Sequence, residues 1–441
     1  GKIANMHALG IISEITNTKL GELGTTTFRP PYSPITFGAL VGRNVGQFFD
    51  ITRKTPMHDW HEKNGAKFED VGQWKRAWYY PLGNENMYDA VQRESKAART
   101  KAGILDASTL GKIDIQGSDA SEFLNRVYTN AWSKLAIGKC RYGLMLNEDG
   151  MVYDDGVTTR LSENNYIMTT TTGGAAAVMG KLEDFLQTEW PELKVYLTSV
   201  TDHFATVSVC GPYSKKILEK ITQNIDYSDT NFPHMSFKNG LIDKIKCRVM
   251  RISFTGELSY EINVQANYGQ SVWEKCMAAG KEYGITPYGT EAMHLLRAEK
   301  GFIIVGQETD GTVTPVDLQM DWIVSKKKYD FIGKRSLYRS DTMREDRKQY
   351  VGLLTSDPKE ILEEGAQIVA EVKKNPPMDM IGHVTSSYYS PNLNKSIALA
   401  IVKNGKKLKG RKLYVPMSNK TIEVTVSDTI FLDKENKRLN A

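Results

Sequence analysis

The sequence predicts an α+β chain that closes with a small β-barrel. Three observations carry this prediction. From Thr55 onward, segments with strand and helix periodicity alternate; after Gly333 the helical pattern stops, and short apolar runs follow, separated by Gly, Pro and Asn. The 441 residues, 40% hydrophobic, 10% aromatic and 25% charged, are enough for two or three packed units and exclude a disordered, collagen-like or coiled-coil chain.

Residues 1–54 read as an arm or linker. Arg29-Pro30-Pro31 and Ser33-Pro34 force extended backbone, while Gly38, Gly42 and Gly46 follow no clear period. Gly1 stands where a start Met is expected, which places the natural start elsewhere. Residues 110–116 alternate like a half-buried strand, and Ser118 is the expected cap of an apolar-periodic helix through Phe123 and Val127. Residues 141–146, 151–159 and 166–172 read as a meander, its first two strands joined by the turn Asn147-Glu148-Asp149-Gly150. Helices are expected near 174–188, 213–222, 267–283 and 288–300, with strands at 204–210, 245–254 and 258–264. Barrel strands are expected near 348–355, 367–372, 379–387, 395–403 and 419–427.

The 57 Lys+Arg against 52 Asp+Glu give +5, scattered along the chain, which suits an anionic ligand without demanding nucleic acid. The basic runs at 326–328 and 403–412 lack interleaved aromatics and read as solvated loops, so RNA binding is the least favoured reading. Cys140, Cys210, Cys247 and Cys276 show no C-x-x-C spacing, which predicts neither disulfides nor zinc and favours a reducing, cytoplasmic setting. No run of about 18 apolar residues predicts a membrane span. His58 and His61 are three apart with no third ligand nearby, so no metal site is expected. Neither GxGxxG after a strand nor GxxxxGK[ST] occurs, so any flavin is expected on partner subunits or on a missing N-terminal region.

Three stretches could carry chemistry. Asp154 and Asp155 are adjacent on an otherwise apolar strand, so one faces each side and one points inward. An inward carboxylate needs donors, which a heterocycle offering N–H beside NH₂ would supply; a structural cap or salt bridge would also serve. In the stretch 251–262, Thr255-Gly256-Glu257 breaks a strand and Glu261 returns inside the next, either as an exposed-face glutamate or as a ligand contact. In the stretch 292–301, Met293 shares a helix side with Leu296 and Lys300 and reads as core, and Arg297 and Glu299 read as a solvated pair.

Taken as words, these stretches resemble the aminomethyltransferase (T-protein) family of the glycine cleavage system. The similarity runs through Phe68-Glu69-Asp70-Val71-Gly72-Gln73-Trp74, Leu105-Asp106-Ala107-Ser108, the Asp154-Asp155 strand, Phe254-Thr255-Gly256-Glu257, Leu296-Arg297-Ala298-Glu299 and Gly306-Gln307. It continues through Gly382-His383-Val384-Thr385-Ser386 and the segment from Ser390-Pro391 to Ala400. Longer words resemble the C-terminal part of the α subunit of heterotetrameric sarcosine oxidases, even in the arm: Thr26-Thr27-Phe28-Arg29-Pro30-Pro31, Lys54-Thr55-Pro56-Met57-His58, Tyr128-Thr129-Asn130-Ala131-Trp132 and the segment from Lys300-Gly301 to Gln307.

The resemblance implies a T-protein-like folate-binding fold of discontinuous α/β subdomains, about 55–106 with 196–287 and 107–195 with 288–335, followed by the barrel at 336–441. It implies tetrahydrofolate as ligand. Asp155 matches the carboxylate that holds the pterin and serves the chemistry, Glu261 a second polar contact, Tyr142 an aromatic contact, Leu110 an apolar wall and Trp322 a pocket tryptophan. The sequence departs from the family where Phe254 replaces Tyr, Thr171 replaces Asn and Met293 replaces an Arg of the folate and lipoyl-arm region. That last loss favours a small imine or formaldehyde as donor over a lipoyl-bound aminomethyl group. The implied activity is one-carbon capture as 5,10-methylenetetrahydrofolate within a sarcosine oxidase, with flavin-containing subunits as partners. The alternatives are a stand-alone aminomethyl or methyl transferase, and a non-catalytic folate-binding or assembly subunit.

Overall fold

The computed structural model of the chain describes residues 2–23, 52–375 and 377–440. It divides into two bodies, 1–52 and 53–441. The first contains helix α1 (Lys2–Thr16), where an irregular arm was expected. The apolar run that includes Leu9, Ile11, Ile12 and Ile15 has no Pro to stop it. The proline-rich words at 29–34, the glycines at 38–46 and the matching words at 26–31 lie outside the described residues.

The second body opens with β1 (Arg53–Lys54), α2 (His58–Lys63), β2 (Lys67–Val71) and β3 (Trp74–Tyr79), which form a three-stranded sheet over one short helix. Helix α3 (Met87–Thr100) follows. Its start is set by a capping box, in which the Asn86 side chain accepts from the Asp89 N–H and Asp89 reaches back to the Asn86 N–H. Then come β4 (Ala102–Asp106), β5 (Gly111–Gln116), α4 (Ala120–Val127), β6 (Cys140–Leu146), β7 (Val152–Ser162), β8 (Asn165–Thr170), α5 (Ala175–Asp184) and β9 (Tyr196–Ser199). The Ser118 expectation is off by one: Asp119 holds the cap position of α4, and its carboxylate is turned to the Lys194 N–H at 2.8 Å.

The chain continues with β10 (Phe204–Cys210), α6 (Ser214–Ile221), β11 (Thr222–Gln223), β12 (Ser236–Ile242), β13 (Ile245–Arg251), β14 (Ser259–Gln265), α7 (Gly269–Gly280), β15 (Ile285–Pro287) and α8 (Thr290–Glu299). Six strands, β16 (Lys348–Thr355), β17 (Gln367–Val369), β18 (Met380–Ser390), β19 (Lys395–Lys403), β20 (Lys412–Pro416) and β21 (Thr421–Ser427), close the barrel in the order β16-β19-β18-β17-β20-β21. One of these, β20, was not among the five expected.

Two sheets position the site. A seven-stranded sheet runs β11-β12-β13-β14-β10-β4-β15 and a five-stranded one β6-β7-β8-β5-β9. Alternation assigns their faces. Val207, Val249, Tyr260 and Ile262 of the larger sheet pack with Ile217 of α6 and Trp273 of α7, while Ile113, Ile115, Tyr166 and Met168 of the smaller pack with Phe123 of α4 and Val178 of α5. The opposite faces meet each other: Cys140, Val157 and Ile167 of one sheet cluster with Phe237 and Met250 of the other and with Ile252 just past β13. Polar side chains on these two faces therefore share one inter-sheet layer.

Candidate functional site

The β6–β7 hairpin supplies the first two site residues. Between Met145 and Leu146 the register shifts, leaving an extra residue on β7, so the strand's alternation restarts just before the paired aspartates. Asp154 then turns toward the helical side and Asp155 toward the inter-sheet layer. Asp154 is 1% exposed and saturated: it accepts from the Asp155 N–H at 2.7 Å, the Thr171 N–H at 3.2 Å and the Thr171 hydroxyl at 3.1 Å. These bonds tie β7 to the end of β8 and the start of α5. A Cβ on Gly174 would lie 2.3 Å from Asp154 Oδ2.

Asp155 has one described side-chain partner, the Tyr142 hydroxyl, which donates to Oδ2 at 2.6 Å. Burial is the main cause that pushes its carboxyl up to about 7; the Asp154 charge adds to the rise, and the Tyr142 hydrogen bond opposes it. Burial also raises the Tyr142 phenol well above its ordinary value, helped by Asp155, so Tyr142 stays a neutral donor. Gly156 follows because β8 crowds this point: a Cβ there would lie 1.9 Å from the Thr169 carbonyl.

Glu261 lies on the inter-sheet face of β14, opposite Ser208 of β10 and Met250 of β13. Burial pushes it up to about 7, opposed by the Lys112 charge. Leu110, half-buried, ends the turn that precedes β5, and its carbonyl accepts from the Lys112 ammonium at 3.0 Å. Thr171 reaches Asp154 and not Asp155. Phe254 is 37% exposed, its ring 6.3 Å from that of Phe302. Met293 is half-buried in the core that joins α3 and α8, near Leu105 and Tyr388, in keeping with its reading as core. Trp322 stands 71% exposed, so no pocket encloses it in this structure. The structure thus joins Asp155 to Tyr142 directly, sets Glu261 on a face of the same layer, and leaves Trp322 at the surface.

Arg297 and Glu299 are not the solvated pair their spacing suggested. Both are fully buried on α8. Arg297 donates to Glu308 at 2.8 Å and to the Ser386 hydroxyl of the barrel at 2.6 Å. Glu299 accepts from Arg99 of α3 and, through its other oxygen, from Ser390 at 2.5 Å and Asn392 at 2.9 Å. Glu257 completes the cluster by accepting from Arg99 and Arg438. The Thr255-Gly256-Glu257 and Arg297-Ala298-Glu299 words are therefore joints between layers. Gly256, at φ +79°, is needed where Lys300 crosses: a Cβ would lie 2.3 Å from its side chain.

His58 and His61 do not converge. His61 is bonded between Asp106 at 3.1 Å and the Tyr80 hydroxyl at 2.9 Å, while the His58 ring lies 4.5 Å from that of Phe68. Among the described residues no group of three His, Cys, Asp or Glu could hold a metal, and no helix is long and apolar enough to cross a membrane. All four cysteines are free and buried. Sequence reasoning missed Lys112, 2% exposed on the inter-sheet side of β5, because it sits at a polar position of an alternating strand beside Asp114 and Gln116.

This arrangement, two packed α/β layers joined by buried ion clusters to a β-barrel, is that of a known class. Residues 57–328 match the GCVT N-terminal domain and residues 348–433 the glycine cleavage T-protein C-terminal barrel domain; the chain belongs to the glycine cleavage T-protein family. The glycine cleavage system aminomethyltransferase T from Bartonella henselae shares the fold with a TM-score of 0.75 and 25% identity, over 86% of this chain and 98% of that one. An aminomethyltransferase from Caldanaerobacter subterraneus subsp. tengcongensis is 31% identical over 88% of this chain and 98% of its own.

A narrower likeness accompanies the family. Residues 1–43 match the sarcosine oxidase A3 domain, and the chain is 53% identical to the sarcosine oxidase subunit alpha of Corynebacterium sp. (strain P-1) over 99% of its length. The corresponding subunit of Rhizobium meliloti (strain 1021) is 44% identical over the full chain. The chain spans about half the length of these sarcosine oxidase relatives, 46% and 45% respectively.

Proposed function

We propose that this chain is the tetrahydrofolate-binding, aminomethyltransferase-like part of a sarcosine oxidase α subunit, and that it captures the one-carbon unit of an oxidised N-methyl amino acid as 5,10-methylenetetrahydrofolate. The observation that carries the reading is Asp155. Its carboxylate is half-buried with a single described side-chain donor, in a chain whose relatives include aminomethyltransferases. Such a group is short of donors, and the pterin's N3–H and 2-amino group form a donor pair that fits it. Glu261 provides a second acceptor and Leu110 an apolar wall.

Tetrahydrofolate supplies two nucleophilic nitrogens, N5 and N10. Flavin oxidation of the N-methyl amine, on partner subunits or on a region outside this chain, supplies the iminium carbon that water would otherwise hydrolyse to formaldehyde. When bound, tetrahydrofolate would take up that carbon between N5 and N10, with both N–H protons leaving on the released amino acid. Asp155 and Tyr142 fix the pterin so that attack outruns hydrolysis; alignment of this kind is worth up to roughly 7–11 kcal/mol. Asp155 also accepts a proton at a poise near 7, which suits exchange with the folate nitrogens. The four free cysteines fit a cytoplasmic setting.

Met293, in place of the family's arginine, favours the small imine or formaldehyde donor over a lipoyl-bound one. The second reading, a stand-alone aminomethyltransferase, draws on the near-complete span of the aminomethyltransferase relatives. Calorimetric titration with tetrahydrofolate, followed by turnover with formaldehyde, tests the first. Saturable one-to-one binding and formation of methylenetetrahydrofolate are expected. No binding refutes the folate reading, and binding without turnover leaves a folate-binding or assembly subunit.

A further inference from the structure

Lys112 is among the most deeply buried lysines of the chain, and the mechanism above does not use it. Ile113 and Ile115 of β5 enter the helical core, so Lys112 stands on the opposite face, toward the larger sheet. On that sheet Tyr260, Ile262 and Val264 enter the other core, which leaves Glu261 facing back. The Lys112 ammonium donates to the Ser108 and Leu110 carbonyls, both at 3.0 Å, using two of its three N–H groups.

Three carboxylates act on this ammonium, namely Glu261, Asp106 and Asp202. Asp106 is held by His61 and the Ser108 N–H, and Asp202 by Arg53 at 2.6 Å. Glu261 has no hydrogen-bond partner for its carboxylate among the described residues and forms no direct ion pair. A spare donor and a spare acceptor thus face one layer without touching.

We propose that Lys112 is a positioning residue of the folate site: it pins the Ser108–Leu110 turn that carries the apolar wall, and from across the layer it keeps the Glu261 carboxylate ionised to receive a ligand N–H. Both halves rest on the folate reading above. The other cation on this face, Arg248 of β13, lies over the Phe204 and Phe237 rings and is drawn to Asp114 of β5, whereas Lys112 is the charge that acts on Glu261. Burial pushes Cys140 up to about 12 and raises Tyr288 well above its ordinary value, so both stay neutral; Asp155, on the same face of β7, is an acid. The Lys112 ammonium itself is pushed down to about 8 by burial, against Glu261.

Coupling between two charges is reciprocal, so it can be read from either end. In the full chain carrying ¹³C-labelled lysine, with the Lys112 ε-carbon signal assigned by its loss in Lys112→Arg, Glu261→Gln should lower the Lys112 titration midpoint by about one pH unit. This needs neither folate nor a folded Lys112→Met. In tetrahydrofolate titrations across pH, Lys112→Met should move the low-pH loss of affinity upward by about one unit, because removing the cation raises the Glu261 pKa. The shift should vanish in a Glu261→Gln background. An unchanged Lys112 titration in Glu261→Gln, or a Lys112→Met profile that falls uniformly with its midpoint unmoved, overturns the inference. A wild-type chain that binds no tetrahydrofolate overturns the folate reading instead, while the lysine titration still decides the coupling.

Discussion

The ion cluster around α8 is fully buried and the acidic groups between the two sheets are half-buried, and the two differ in how their charges are met. Arg99 is bonded to two carboxylates and two backbone carbonyls, and Glu299 to an arginine, a serine and an asparagine. Asp155 has one side-chain donor and Glu261 none. Burial raises Asp155 and Glu261 to about 7, whereas Arg99 is raised despite its burial because Glu299 and Glu257 flank it. On the proposed function, the saturated cluster serves as a joint and the unsaturated groups receive the ligand.

The contrast breaks hardest at Arg99. Arg99→Met leaves Glu257 and Glu299 buried without their shared cation, at an expected cost of about 3–5 kcal/mol, read as a lowered denaturation midpoint. If stability held within ~1 kcal/mol, the cluster would not be the joint described. Asp154 is the next largest. Asp154→Asn replaces an acceptor of three bonds with an amide that keeps one acceptor oxygen, and should cost about 1–3 kcal/mol with folate affinity near wild type, measured by melting and titration together.

The pH dependence sharpens the comparison. A ligand that donates to Asp155 and Glu261 binds their ionised forms, and both free groups lie near 7, so affinity is high above that value and falls as pH drops through it. From pH 8 to pH 6 the loss should be about tenfold for one coupled group and about a hundredfold for two. A flat profile over that range contradicts the placement of the ligand donors. The smallest effect is expected at Trp322, where Trp322→Ala at a 71% exposed position should change stability by less than about 0.5 kcal/mol. A larger destabilisation would reveal packing that the exposed ring does not make.

The sequence was most legible where one residue's surroundings come from its own strand. Runs rich in apolar and β-branched residues placed 204–210, 348–355 and 395–403 at their observed bounds. Alternation separated Asp154 from Asp155, although the extra residue that restarts β7 could not be read. Helix α3 was missed because its buried side includes Glu94 and Arg99, whose partners, Gly289 and Glu299, lie about two hundred residues away. Arg297 and Glu299 were misread for the same reason, since Ser386 and Ser390 belong to the barrel. Lys112 was hidden because a strand lysine ordinarily faces water.

The central claim is that Asp155 holds the pterin while Asp154 holds the fold. Tetrahydrofolate titration of Asp155→Asn beside Asp154→Asn, with melting curves for both, tests it most directly. An asparagine at 155 presents an NH₂ to a ligand donor, so affinity should fall about tenfold to a hundredfold, on the order of 1.5–3 kcal/mol, with stability retained. Asp154→Asn should show the reverse, a lowered melting temperature with near-wild-type affinity. Equal and near-wild-type affinities in the two variants would contradict the assignment.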